Sequence, residues 1–242
     1  MTSLNAGAAT HVGRVRSDNE DAHYSGRRIW AVADGMGGHA AGEVASAIVI
    51  EAVAELDHQL GLLDRDAIVA MVERANDAVI VRASDVPGRR GMGTTLTGIA
   101  LVSEDHEERL CVFNVGDSRV YRLARGQLAQ VTRDHSEVAD LIESGLITPT
   151  RAKTHPMRNV VTRCLGMLAM PGADSWLVRV RASDRYVICS DGLNGELSDG
   201  RIAGLATQHD DPQEAADALV IAAVEAGGHD NVTVVVVDVI PE

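Results

Sequence analysis

Three apolar stretches of this sequence run into an aspartate beside glycine and a fourth starts from one beside asparagine, and that recurrence restricts what the chain can become. Val32-Ala33 leads to Asp34-Gly35, Val115 to Gly116-Asp117, and Val187-Ile188-Cys189-Ser190 to Asp191-Gly192. Asp230-Asn231 stands at the mouth of a fourth stretch, just after Gly227-Gly228. A single Asp-Gly pair is an ordinary turn signal, since Asp bonds its own backbone and Gly accepts any φ. Four at the ends of buried strands would bring four carboxylates to one edge of a sheet assembly.

Carboxylates so gathered repel one another and must take up protons unless positive charge lies between them. A cation solves that problem. Hard oxygen ligands without His or Cys at metal spacing select Mg²⁺ or Mn²⁺ over Zn²⁺, and glycine beside each Asp lets a carbonyl or a bound water approach. Such ions would attract a phosphate dianion that bare aspartates repel. Two of them sharing one carboxylate lower the pKa of a bridging water from about 15.7 toward neutrality. The attacking group at phosphorus is then water rather than a side chain.

Periodicity places these residues in a mixed architecture. Residues 29–33 read as a buried strand followed by a glycine turn; Gly42 to Leu60 has helical apolar spacing, and a second helix runs from Asp66, taken as its N-cap, to Ala83. After a Pro/Gly loop at 87–93, short strands recur at 94–102, 109–115, 118–124 and 127–131, a spacing that pairs antiparallel. The segment 133–156, with a short helix at Glu137–Glu143, reads as a mobile flap. Strands follow at 175–181, 185–190 and 231–239, with helices at 199–207 and 212–226. The expected fold is α+β, antiparallel sheets covered by helix pairs, in one domain spanning 1–242.

Composition narrows the partners. Aromatic residues are 2% of the chain, so Val, Ala, Leu and Ile must fill the core. The net charge is −13 and Lys153 is the only lysine, which argues against nucleic acid as a partner. Cys111, Cys164 and Cys189 are odd in number and far apart, as expected of reduced packing residues in the cytoplasm. No apolar run approaches the roughly 20 residues of a membrane span. The expectation is a cytoplasmic, monomeric protein with no membrane partner.

The motifs, in order, resemble the PP2C (PPM) family of metal-dependent serine/threonine protein phosphatases, especially compact bacterial members. They are Gly13-Arg14-Val15-Arg16-Ser17-Asp18-Asn19-Glu20-Asp21-Ala22, Val32-Ala33-Asp34-Gly35-Met36-Gly37-Gly38-His39, Gly93-Thr94-Thr95, Asn114-Val115-Gly116-Asp117-Ser118-Arg119, Cys189-Ser190-Asp191-Gly192-Leu193 and Asp230-Asn231-Val232-Thr233. The resemblance implies a β-sandwich of two antiparallel sheets flanked by helices, with ions in a channel at one end. It implies that Asp34 bridges two core ions, that Gly35 offers its carbonyl to the second, and that Asp191 and Asp230 hold the first. Glu20 would join the second ion directly or through water, and Asp117 with Asp191 would hold a weaker third. Arg16 matches the arginine that binds the substrate phosphate, where its planar fork grips two oxygens. Asp21 is a candidate for a supporting role. Phosphorylated proteins, the products of a Ser/Thr kinase, are the implied partners.

Met36 stands where eukaryotic relatives carry a histidine thought to be the general acid. The leaving alkoxide would then take its proton from metal-bound water or from His39. Two other readings compete with the one that the resemblance implies. Gly35-Met36-Gly37-Gly38-His39-Ala40 fits a dinucleotide-binding fingerprint, but Asp34 would aim negative charge at the pyrophosphate. A non-catalytic phosphoprotein-binding module would not need the complete ligand set. No cysteine is followed at the sixth position by arginine, which excludes a cysteine-dependent phosphatase.

Overall fold

The computed structural model describes residues 3–37, 41–85 and 91–240. His39 and most of the Pro/Gly loop lie outside the described residues. One five-stranded sheet has the order β1 (Ser3–His11), β11 (Val232–Ile240), β10 (Arg185–Cys189), β7 (Arg119–Ala124) and β8 (Gln127–Gln130). The other runs β2 (Asp21–Ser25), β3 (Ile29–Met36), β5 (Leu96–Glu104), β6 (Glu107–Val115) and β9 (Asp174–Arg179), with the two-residue β4 (Gly93–Thr94) paired to β3. Every described ladder is antiparallel. That is the expected sandwich, and it contradicts the parallel sheet a dinucleotide fold requires.

The central strands are apolar on both faces because each sheet is covered twice. Side chains alternate along a strand, so Trp30 and Val32 of β3 and Val235 and Val237 of β11 point between the sheets, with Ile99, Val112, Tyr186 and Ile188. Their neighbours Ala31, Ala33, Val234 and Val236 point outward to helices. On one side, α1 (Ala41–His58) and α2 (Arg65–Asp85) bury Val49, Val53, Ile68 and Val72. On the other, α5 (Asp191–Glu196), α6 (Asp199–Gln208) and α7 (Pro212–Ala226) bury Leu193, Ile202 and Leu219. Trp30 is the largest fully buried side chain, and truncating it would cost about 3–5 kcal/mol.

Several expected boundaries shift for local reasons. The N-cap of α2 is Asp64 rather than Asp66, because Asp64 Oδ1 accepts the Ala67 N–H at 2.8 Å. The strand expected to stop at residue 33 continues through Asp34 and Gly35 to Met36, since Gly35 and Met36 pair with Thr94 and Gly93. In the segment read as a flap, α3 (Glu137–Glu143) and α4 (Pro149–Ala152) start at Ser136 and Thr148, whose hydroxyls accept backbone N–H groups of the first turn. A bridge between Ser136 and Val161 closes its base. Cys111 and Cys189 are buried, Cys164 is half-buried, and all three are free. Among the described residues, no helix is long and apolar enough to cross a membrane.

Candidate active site

Each carboxylate of the acidic strand ends is set by a different element. The Asp34 backbone is gripped on both sides: its N–H donates to Thr95 Oγ1 at 2.9 Å, and its carbonyl accepts from Thr95 N–H and Thr94 Oγ1, both at 2.9 Å. Thr95 Oγ1 lies 2.8 Å from Ser118 Oγ. Gly35 donates its N–H to the Glu20 carbonyl at 3.2 Å. A Cβ at Gly35 would overlap the carbonyl oxygens of Glu20 and Gly42, so only glycine lets β3, the Glu20 backbone and the start of α1 meet.

Asp191 occupies the first turn of α5, directly after Ser190. Ser190 Oγ donates to Asp21 Oδ2 at 2.8 Å and accepts the Thr233 N–H at 3.0 Å, joining three strands at one end of the sandwich. Asp21 faces Asp34 across the β2–β3 ladder. Asn231 ties the preceding loop to β11: its Oδ1 accepts the Glu20 N–H, and its Nδ2 donates to the Val12 and Asp18 carbonyls, each at 2.9 Å. Asp117 follows Gly116, whose φ of +113° and contact with the Thr95 side chain exclude a Cβ. Arg16 reaches over the rim, and its Nη2 donates to Asp230 Oδ2 at 2.8 Å.

Asp21, Asp34, Asp117, Asp191 and Asp230 lie near enough to act on one another's charge, and the electrostatics record the crowding. Burial first, and then the charges of Asp21, Asp191, Asp117 and Asp230, push the Asp34 carboxyl well above the ordinary 3.8. Burial and Asp230 raise Asp191, offset in part by a hydrogen bond between its side chain and that of Asp34. Asp117 is raised to about 7 by burial and then by Asp191 and Asp134. Asp21 is raised to about 7 by burial first, against the lowering effect of its Thr233 and Ser190 hydrogen bonds. Burial also raises Glu20.

The protein therefore supplies too little positive charge for its own carboxylates, and Asp21 Oδ1 is buried without a hydrogen-bond partner. All the candidate donors are hard oxygens. That chemistry fits divalent cations of the Mg²⁺ or Mn²⁺ type. Among the described residues, no three of these side chains close around one point as ion ligands do. Asp230 instead turns to Arg16.

A family model described as protein phosphatase 2C matches residues 9–220. The chain belongs to the protein phosphatase 2C family. This phosphatase 2C chain is 43% identical over 244 residues to the serine/threonine protein phosphatase PstP of Mycobacterium tuberculosis, a match covering 98% of the chain and 45% of PstP. It therefore spans about half the length of that curated relative. The serine/threonine phosphatase stp of Listeria monocytogenes is 32% identical, with 97% of this chain and 96% of stp covered. The crystal structure of the PstP catalytic domain in complex with two manganese ions superposes with a TM-score of 0.89 at 41% identity, covering 100% of both chains.

The supporting residues are where sequence reasoning fell short. Thr94, Thr95 and Asn231 stand in motifs that resemble the family, yet nothing local to them says that they hold Asp34 and Glu20. Ser118 and Ser190 announce themselves only as small polar residues beside an aspartate. The contacts that give each its role come from elements 23 to 211 residues away.

Proposed function

We propose that this chain hydrolyses phosphoserine and phosphothreonine in proteins, using two divalent cations, Mn²⁺ or Mg²⁺, and a weaker third. The observation that carries this reading is the set of half-buried, mutually repelling carboxylates at one end of the sandwich, in a chain of this family. Asp34 would bridge the two core ions, with Asp191 and Asp230 on the first and the Gly35 carbonyl and Glu20 on the second. Asp117 and Asp191 would hold the third. When bound, such ions neutralise the cluster, attract the phosphate dianion and make water acidic enough to attack it at neutral pH.

The chain's own residues orient that chemistry. Arg16 sits at the exposed rim, where its unused N–H groups can grip two phosphate oxygens. Thr94 and Thr95 hold the Asp34 backbone, and Asn231 holds that of Glu20, which fixes the main chain from which both carboxylates project. Met36 is half-buried and has no proton to give. The segment from Arg133 to Pro156 selects among substrates in this reading, and phosphoproteins made by a Ser/Thr kinase are the partners.

Phosphate release from phosphothreonine peptides, measured across Mn²⁺ and Mg²⁺ titrations and after EDTA, tests the proposal. Activity that needs the ions and vanishes in Asp34→Asn and Asp191→Asn, with the variants still folded, is the expected result. Full turnover in either variant, or in EDTA, would refute it. Phosphopeptide binding by the metal-loaded protein without turnover would favour the non-catalytic alternative.

A further inference from the structure

Asp117 owes its position to a turn that has few means of holding itself. Gly116 lies in the left-handed region and has no side chain, so only its peptide groups can be anchored. Its carbonyl accepts the His135 N–H at 2.9 Å and Asn114 Nδ2 at 3.0 Å. Its N–H donates to His135 Nδ1 at 3.1 Å. His135 therefore supplies two of these three hydrogen bonds, one through its backbone and one through its ring.

The other ring nitrogen is equally committed. Because Nδ1 accepts from an amide that can only donate, a neutral His135 must carry its proton on Nε2. Nε2 lies 3.1 Å from Asp174 Oδ2 at the start of β9, and Arg163 Nη1 donates to Asp174 Oδ1 at 2.9 Å. The ring is buried at 3% exposure and cannot swing out to water without losing both bonds. Its backbone also closes the base of the segment containing α3 and α4, where the Thr162 N–H donates to the His135 carbonyl at 2.8 Å. One residue thus joins the Asp117 turn, the base of that segment and the sheet edge.

We propose that His135 is a positioning residue for Asp117, holding the Gly116 amide with Nδ1 while Asp174 fixes the ring's tautomer and orientation through Nε2. This rests on the reading of Asp117 as a ligand of the weaker third cation. A merely structural histidine would contribute stability alone; a positioning one sets the affinity of that single ion. Outer partners that orient a ligand are typically worth about tenfold or more in metal affinity.

Two variants separate the ends of the ring. His135→Asn keeps an acceptor where Nδ1 stands but cannot reach Asp174. His135→Gln keeps a donor near Nε2 but offers nothing to the Gly116 N–H. Mn²⁺ binding to the full chain is measured by calorimetry and by the paramagnetic resonance of free Mn²⁺, with thermal unfolding in EDTA recorded alongside. The expected result is a third ion about tenfold weaker in His135→Gln and within about threefold of the parent in His135→Asn, the two tighter ions being unchanged in both. Third-ion affinity unaltered in His135→Gln, or weakened equally in both variants in step with lost stability, overturns the inference and leaves the phosphatase reading standing. A parent protein that binds no third ion removes both the third-ion assignment and this inference.

Discussion

Replacing Asp117 by asparagine should make the ion-free protein more stable while impairing its function, and the structure gives the size of the effect. Burial, with Asp191 and Asp134 nearby, raises this carboxyl from 3.8 to about 7. The folded state thus binds this proton more tightly than the unfolded chain, so the stability that Asp117 contributes is fully present below about pH 3.8 and is lost as pH rises to about 7. Three pH units at about 1.4 kcal/mol each would forfeit about 4 kcal/mol above pH 7. The side chain keeps partial access to water, and screening reduces this to about 1–3 kcal/mol. Asparagine has the same shape and no charge to desolvate. Urea unfolding in EDTA should therefore show Asp117→Asn more stable than the parent by that amount at pH 8, with the gain shrinking to about a third at pH 5. Saturating Mn²⁺ should narrow or reverse the difference, because only the parent gains from an ion held by Asp117. A variant equal to or less stable than the parent at pH 8 in EDTA would show that the carboxylate is not under electrostatic load.

Other perturbations probe the neighbouring residues. Arg16→Ala removes an exposed pair with Asp230, so unfolding free energy should move by less than about 0.5 kcal/mol. KM for phosphopeptides should rise by about tenfold, while the Mn²⁺ concentration for half-activity falls because Asp230 is no longer shared; a raised Mn²⁺ requirement would contradict this. Thr95→Val keeps the side-chain shape but leaves the Asp34 N–H without its acceptor, costing about 1–3 kcal/mol in urea unfolding and lowering kcat as well. Stability lost with kcat intact would show that Asp34 does not depend on that grip. Exchanging residues 133–156 for the corresponding segment of a relative should change relative kcat/KM across a phosphopeptide panel without altering Mn²⁺ binding by the core site, and unchanged preferences would end the idea that this segment selects substrates.

The parts of this molecule that could be read from its sequence are those in which one segment carries its own reason. Apolar runs ending in Asp-Gly announce buried strands with charged tips, and α3 occupies the 137–143 span expected of it because Ser136 caps it from one residue away. The parts that could not be read depend on distant partners. Strand β1, with sequence Ser-Leu-Asn-Ala-Gly-Ala-Ala-Thr-His, has poor strand propensity and exists because β11 pairs with it over nine residues. Gly35 reads as a turn, yet it continues a strand because Thr94 lies opposite it. Asp191-Gly192 likewise reads as a turn but starts a helix, α5. The same division runs through the site. The carboxylates are visible in the sequence because chemistry limits which residues can bear that charge, whereas Thr95, Asn231 and His135 act through hydrogen bonds to backbone groups that any sequence would offer. A site of this kind must therefore be tested at two levels, charge at the aspartates and geometry at the neutral residues behind them, and variants of the second level should leave the buried charge in place while loosening where it is held.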